Sequence, residues 1–214
     1  MISTSSLYRG LTLRPEDEKL RYKYVLLVGL PGSGKDIAAK ILENRYGFRV
    51  IVMSDVVREV VVRRGLLETR ENFRKIGLEL RNELGPAAVA LLCIKKAEEI
   101  EKNKTPPGIV INGIRNIEEI EAFRERFKDS VITIAVVASK KVRFNRIRKR
   151  GRRGFDLIRR TKPMTYEEFL RQDREELELF DMGKALAWAD AFIVNDGSVK
   201  ELEENLISVL TKDP

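Results

Sequence analysis

Residues 29–36 read GLPGSGKD, directly after the apolar run that begins at Tyr24, and no other stretch limits the fold as strongly. Two glycines, Gly29 and Gly34, bracket four residues and are followed by Lys35, the spacing of a phosphate-binding loop. Such a loop must curl its N–H groups inward around an anion through backbone angles that residues with a Cβ resist. It also needs a strand to enter it and a helix to leave it, so that the helix N-terminus faces the same anion. Both are expected here: a buried strand over 23–29 and a helix from about Lys35 to Tyr46. The candidate phosphate contacts are Gly29, Pro31, Gly32, Ser33, Gly34, Lys35 and Asp36, with Lys35 reaching the β- and γ-phosphates.

The remaining pattern alternates strand and helix, which predicts an α/β fold of three layers around a five-stranded, mainly parallel sheet. Further strands are expected at 48–53, 109–112, 131–138 and 191–194. A helical region over roughly 55–104 is broken near Gly65 and near Gly85-Pro86. Polar caps with Glu three residues on mark helix starts at Asn116, Thr165 and Ser198. Residues 1–22 form a polar extension and 23–214 a single domain, with an acceptor-binding helical region at about 54–104 and a lid at about 146–172. No stretch reaches the ~18 to 20 apolar residues of a membrane helix, and the N-terminus lacks a signal-peptide core.

Composition narrows the chemistry. The chain has 214 residues, one cysteine and no histidine. That excludes intrachain disulfides, zinc sites of Cys and His, and every mechanism needing an imidazole base. A single cysteine suits a reducing, cytoplasmic setting. Phosphoryl transfer survives the exclusion because it rests on positioning and electrostatics supplied by Lys, Arg, carboxylates and backbone N–H groups. Charged residues make up 35% of the chain, which leans toward a thermophile's surface. The net charge of +8 is concentrated: residues 140–162 hold twelve Lys and Arg against one acid, Asp156, so the rest of the chain sums to −3.

Two regions supply acceptor-side candidates. Ser54 and Asp55 follow the second strand, at the sheet edge where α/β proteins bind ligands. Asp55 is placed to orient or deprotonate an acceptor hydroxyl, and Arg58, a turn later, to hold an acceptor phosphate. Alternatively the segment is only a capped helix start with a solvated Arg. The third strand leads into Asn112, Gly113 and Arg115, where Gly113 permits close approach and Arg115 joins Arg58 at an anion. Arg74 and Arg81 on the intervening helices are additional candidates. In the basic segment Arg143, Arg146 and Arg150 share a helical face, and Arg171 and Arg174 return on the next helix. Three readings stay open for it: a lid over a triphosphate, a solvated surface, or a polyanion-binding face.

The stretches GLPGSGK, VIVMSDVVRE, INGIRNIEEIEAF, RQDREEL and WADAFIVNDGS resemble, in order and spacing, the nucleoside monophosphate kinase group. They are most similar to archaeal adenylate-kinase-related proteins, which are themselves similar to dephospho-CoA kinase. The resemblance implies ATP and Mg²⁺, a nucleoside monophosphate or similar nucleotide as acceptor, and an adenine-side loop at Asn195 and Gly197. It implies catalytic roles for Lys35, Asp55, Arg115, Arg146 and Arg174, with Arg146, Arg150, Arg171 and Arg174 closing from the lid. Two positions depart from the pattern. Asp36 replaces the usual metal-binding Ser or Thr, as in phage-type deoxynucleotide kinases and animal phosphomevalonate kinases. Asn112 stands where related kinases carry Asp. We read this as an exchange that conserves the site's charge, with Asp36 and Asn112 handling Mg²⁺ through water. Dephospho-CoA kinase activity, and a nucleotide-binding switch or RNA-associated ATPase, are the alternative functions; the oligomeric state is left open.

Overall fold

Strand β1 (Tyr24–Val28) is buried at all five positions, which is what its unbroken apolar sequence requires of a strand covered on both faces. The computed structural model describes residues 20–150 and 164–211. β1 lies at the centre of a five-stranded sheet in the order β2-β3-β1-β4-β5, with β2 (Arg49–Val52), β3 (Ile109–Ile114), β4 (Val131–Val137) and β5 (Ala191–Val194). Every pairing is parallel, so all five carboxyl ends share one edge of the sheet.

Alternation along β1 divides the core. Val25 and Leu27 pack with α1 (Lys35–Tyr46) and α9 (Val199–Thr211) on one face. Tyr24, Leu26 and Val28 pack with α2 (Met53–Arg63), α3 (Arg70–Leu84), α4 (Ala88–Asn103) and α5 (Ile117–Phe127) on the other. The three layers follow from the period of two in the strand. After β4 come α6 (Lys140–Arg150), α7 (Tyr166–Phe180) and the short α8 (Met182–Ala187).

The helix at 55–104 divides into α2, α3 and α4 at the expected breaks: Gly65 and Gly85 have φ of 68° and 91°. The cap residues act as anticipated. Asn116 accepts from the Glu119 N–H, Thr165 completes a reciprocal box with Glu168, and Ser198 and Glu201 exchange the same pair of bonds. Helix α8 was not anticipated. It is six residues long with Gly183 in its first turn, and no side chain caps it; burial of Met182 and Ala185 holds it instead.

Strand β3 runs two residues beyond the expected 109–112. Leu27 pairs with Asn112 but Val28 with Ile114, so Gly113 is the extra residue of a β-bulge. Its φ of 109° is the reason for glycine there. Among the protein's own atoms a Cβ at Gly113 would meet only the Met53 Cβ, at 3.8 Å.

Residues 1–19 of the N-terminal extension lie outside the described residues. Leu20 and Tyr22 pack on the α1/α9 core, and the Arg21 N–H bonds the Leu210 carbonyl. Residues 151–163, the middle of the expected lid, also lie outside the described residues. Its flanks, 146–150 and 164–172, fall at the end of α6 and in the approach to and first half of α7.

Candidate active site at the carboxyl edge of the sheet

The loop between β1 and α1 is shaped by what holds its carbonyl groups. Gly34, at φ 107°, turns the chain into α1, whose first bonds run from the Ile37 and Ala38 N–H groups to the Gly34 carbonyl. The outward carbonyls are taken by residues from elsewhere. Arg143 Nη1 donates to the Pro31 oxygen at 3.3 Å, Arg146 Nη1 to the Ser33 oxygen at 3.3 Å, and Asn195 Nδ2 to the same Ser33 oxygen at 2.7 Å. A peptide plane whose C=O is held outward turns its N–H the other way, so these contacts bias the loop toward an inward ring of donors. Gly29 is required for space: an added Cβ would overlap the Val136 carbonyl oxygen.

Asp36 and Asn112 meet. Asn112 Nδ2 donates to Asp36 Oδ1 at 2.9 Å, joining the first turn of α1 to the end of β3. Asn112 is 4% exposed and its Oδ1 is buried without a hydrogen-bond partner, as is Ser33 Oγ. Buried oxygen acceptors without partners are uncommon and mark places where a bound ion or water completes the set. The Asp36 carboxylate and the Asn112 amide oxygen, beside Lys35, are hard-oxygen donors, which fit a hydrated Mg²⁺.

One residue beyond Asn112, Gly113 lines a cleft of about 220 Å³. Its other walls include Met53, Ser54 and Arg58 of α2, Phe73, Arg74 and Arg81 of α3, Arg115, and Glu176 of α7. Arg58 lies over the Phe73 ring, with its guanidinium carbon 5.6 Å from the centroid. The candidate residues Ser54, Arg58, Gly113 and Arg115 are thus gathered at one cavity, together with Arg74 and Arg81. Asp55 sits in the first turn of α2, ion-paired with Arg58, and is not among the cleft-lining residues.

The basic helices are arranged differently from a simple cationic face. Arg143 is buried and makes a two-pronged ion pair with Asp173 of α7. Arg146 binds the Asn195 carbonyl at 2.8 Å and reaches the Gly197 carbonyl at 3.4 Å, so it ties the loop that follows β5 to the phosphate loop. Arg171 and Arg174 lie on the exposed side of α7, where Arg174 Nε is 3.9 Å from Glu178. Arg150 ends α6, and its side chain lies outside the described residues.

Three inward side chains of α7 are acids. Asp173 pairs with Arg143, Glu175 with Arg74 at 2.9 Å, and Glu176 with Arg115 at 3.4 Å. Sequence reasoning singled out the arginines of RQDREEL and passed over its carboxylates. A signal was available: Phe169, Asp173 and Glu176 stand at i, i+4 and i+7, so the acids continue the face that Phe169 buries. Arg81 is likewise paired with a buried acid, Glu119, whose second oxygen accepts the Arg115 N–H at 2.8 Å.

Comparisons with known proteins agree with this architecture. A family described as an AAA domain matches residues 28–160. A UPF0200 protein of Pyrococcus horikoshii is 40% identical over 88% of this chain and 96% of its own length. The UPF0200 protein of Pyrococcus furiosus is 39% identical over 87% and 95%. The chain belongs to the UPF0200 family. Among solved structures, TT1252 from Thermus thermophilus superposes with a TM-score of 0.57 at 18% identity, over 89% of this chain and 97% of that one. A shikimate kinase from Bacteroides thetaiotaomicron gives 0.50 at 16% identity, over 87% and 95%. This family member therefore has a P-loop kinase-like α/β fold, with archaeal relatives. No helix among its described residues is long and apolar enough to cross a membrane.

Proposed function

We propose that the protein is an ATP-dependent phosphotransferase whose acceptor is a small anionic molecule, a nucleoside monophosphate or similar nucleotide. One observation carries this reading: Asp36 of the phosphate loop is hydrogen-bonded to Asn112, and the next residue, Gly113, lines a cleft with four arginines. A donor site and an anion-accepting site are therefore adjacent on one strand end. Phosphoryl transfer requires that juxtaposition, because its catalysis is mainly alignment of two anions and stabilisation of the charge between them.

In this reading Gly32 and Gly34 present backbone N–H groups to the donor phosphates, the Ser33 N–H closes the loop on the Leu30 carbonyl, and Lys35 neutralises the outer phosphates. Asp36 and Asn112 Oδ1 would hold Mg²⁺ through its water shell, and the ion would supply positive charge to offset that of the phosphates. Arg58 and Arg115 position the acceptor, and Asp55, ion-paired with Arg58 outside the cleft lining, holds that arginine in place. Arg146 fixes the loop at Asn195 and Gly197 against the phosphate loop, on the side expected to face the adenine.

The test is ADP formation from Mg·ATP with each ribo- and deoxyribonucleoside monophosphate and with dephospho-CoA, beside Lys35→Ala. An acceptor that raises ADP above the no-acceptor control in wild type only establishes the kinase and names its substrate. A flat panel from a chain that still binds ATP removes the kinase reading and favours a nucleotide-dependent switch.

A further inference from the structure

Each of the four arginines lining the cleft already holds a carboxylate. Arg58 pairs with Asp55 and Glu68, Arg74 with Glu175, Arg81 with Glu119, and Arg115 with Glu176. The cleft is rich in guanidinium but locally balanced, so an anionic acceptor must compete for its contacts. We propose that Glu175 and Glu176 of α7 stand in for the acceptor's phosphate, so that a phosphate-bearing acceptor binds by taking Arg74 and Arg115 from them and thereby loosens α7. The identity of the cleft as an acceptor site rests on the phosphotransferase reading; the competition rests on the ion pairs themselves.

The four pairs differ in how readily they can be exchanged. Arg81–Glu119 is fixed: Glu119 is fully buried, and its other oxygen also accepts the Arg115 N–H. Freeing either partner would leave a buried charge uncompensated. Arg58 takes its acids from its own helix and the turn that follows, so its pairing moves with it. Arg74 and Arg115 take theirs from a different element, and both guanidiniums keep about a third of their side-chain surface exposed, at 30% and 32%. Glu175 is as exposed as its partner, whereas Glu176 is buried, so Glu175 yields first and Glu176 follows only as α7 shifts toward water. Arg115–Glu176 spans 3.4 Å, longer than the ~2.7–2.9 Å of a well-formed charge-assisted bond. A dianionic phosphate offers two such forks a better partner than two separate carboxylates.

The consequence for α7 follows from its other anchor. Asp173, one turn before Glu176, is locked to buried Arg143 beside the phosphate loop. When Glu175 and Glu176 lose their arginines, α7 keeps its hold on α6 and loses two of its ties to the cleft. Acceptor entry and the position of the helix that follows residues 151–163 are thereby linked. The balanced cleft also discriminates, because inorganic anions of low charge gain little by displacing a carboxylate that is already in place.

The experiment titrates inorganic phosphate into the full chain carrying Lys35→Ala, which weakens anion binding at the phosphate loop. The same background is then given Glu175→Gln and Glu176→Gln together, at constant ionic strength, and acetate is run alongside. The double substitution is expected to tighten phosphate by about tenfold, since two competing charges are removed. Adding Arg74→Gln and Arg115→Gln should abolish that gain. If the pair of substitutions impairs folding, Glu175→Gln alone is expected to tighten phosphate by about threefold. Phosphate should also speed amide exchange in α7 of the chain that retains both glutamates. Equal or weaker binding in the glutamine variants, saturable binding in neither, tightening of acetate alone, or unchanged exchange in α7 would each overturn the proposal. Because nothing here needs turnover, tightening in a chain that forms no ADP would keep the competition and remove only the phosphotransferase reading.

Discussion

The Arg143–Asp173 pair makes a quantitative test of how the two basic helices are joined to the site. Its side chains are 4% and 8% exposed, and Arg143 also donates to the Ala138 and Pro31 carbonyls and lies over the Phe169 ring. Asp173→Leu leaves the guanidinium buried beside a hydrocarbon, which costs about 3–5 kcal/mol. In a chain of 214 residues each kcal/mol moves the midpoint by about 2–4 °C, so a fall in Tm of roughly 6–20 °C is expected. Arg143→Met should cost a similar amount by stranding Asp173. Arg143→Met with Asp173→Leu removes both charges, and should recover to within about 2 kcal/mol of wild type, the residue being the two carbonyls left without a donor. The assay is thermal unfolding by circular dichroism on wild type, both single variants and the double. Repeating it near 1 M NaCl should leave the differences in place, because a buried pair is little screened. A loss below about 1 kcal/mol for Asp173→Leu, or a double variant no better than the sum of the singles, would refute the reasoning.

Other expectations concern the site and the core. Asp36→Ser should raise the Mg²⁺ concentration needed for half-maximal ADP formation, and adding Asn112→Asp should restore it; a double variant no better than the single removes the exchange idea. Gly34→Ala places a Cβ at φ 107° against the Asn195 amide, so ADP affinity, measured by calorimetry, should fall at least about tenfold with a stability loss of at least ~1–2 kcal/mol. Retained affinity would show that the loop relaxes around the substitution. Cys93 is fully buried, and desolvation by that burial pushes its thiol up to about 12. It should therefore resist thiol reagents at pH 8 in the native state and react at once in denaturant; fast native labelling would mean that α4 opens. Since only the unfolded thiol ionises near pH 9, Cys93 favours the folded state below that pH. The contribution declines as pH rises toward about 12.

The sheet was legible because its strands are apolar throughout and its turns carry Gly and Pro where the chain reverses. GLPGSGKD located the loop for the same reason, since only glycine suits the backbone at Gly34. The bulge at Gly113 was not legible: a glycine at a strand end does not reveal its backbone angle, and only the register with β1 shows the extra residue. The basic segment misled in one respect. Charge is visible in sequence but its direction is not, and Arg143 and Arg146 turn inward to acids and carbonyls while Arg171 and Arg174 stay outside. Long cationic side chains can run along apolar surface and end several ångströms from where their Cα predicts. The three acids of α7 went unread because each makes sense only with an arginine distant in sequence: Asp173 with Arg143, Glu175 with Arg74, Glu176 with Arg115.

One short contact has a mechanical meaning. The Arg21 N–H to Leu210 carbonyl bond joins the segment that leads into β1 to the last helix, α9. Since every strand is parallel, that junction lies at the amino edge, a full strand length from the nucleotide loop. The described chain is close to a closed ring, with its seam on the face remote from chemistry. Tension applied across that seam would open β1 from α9 before it strained Lys35 or its neighbours.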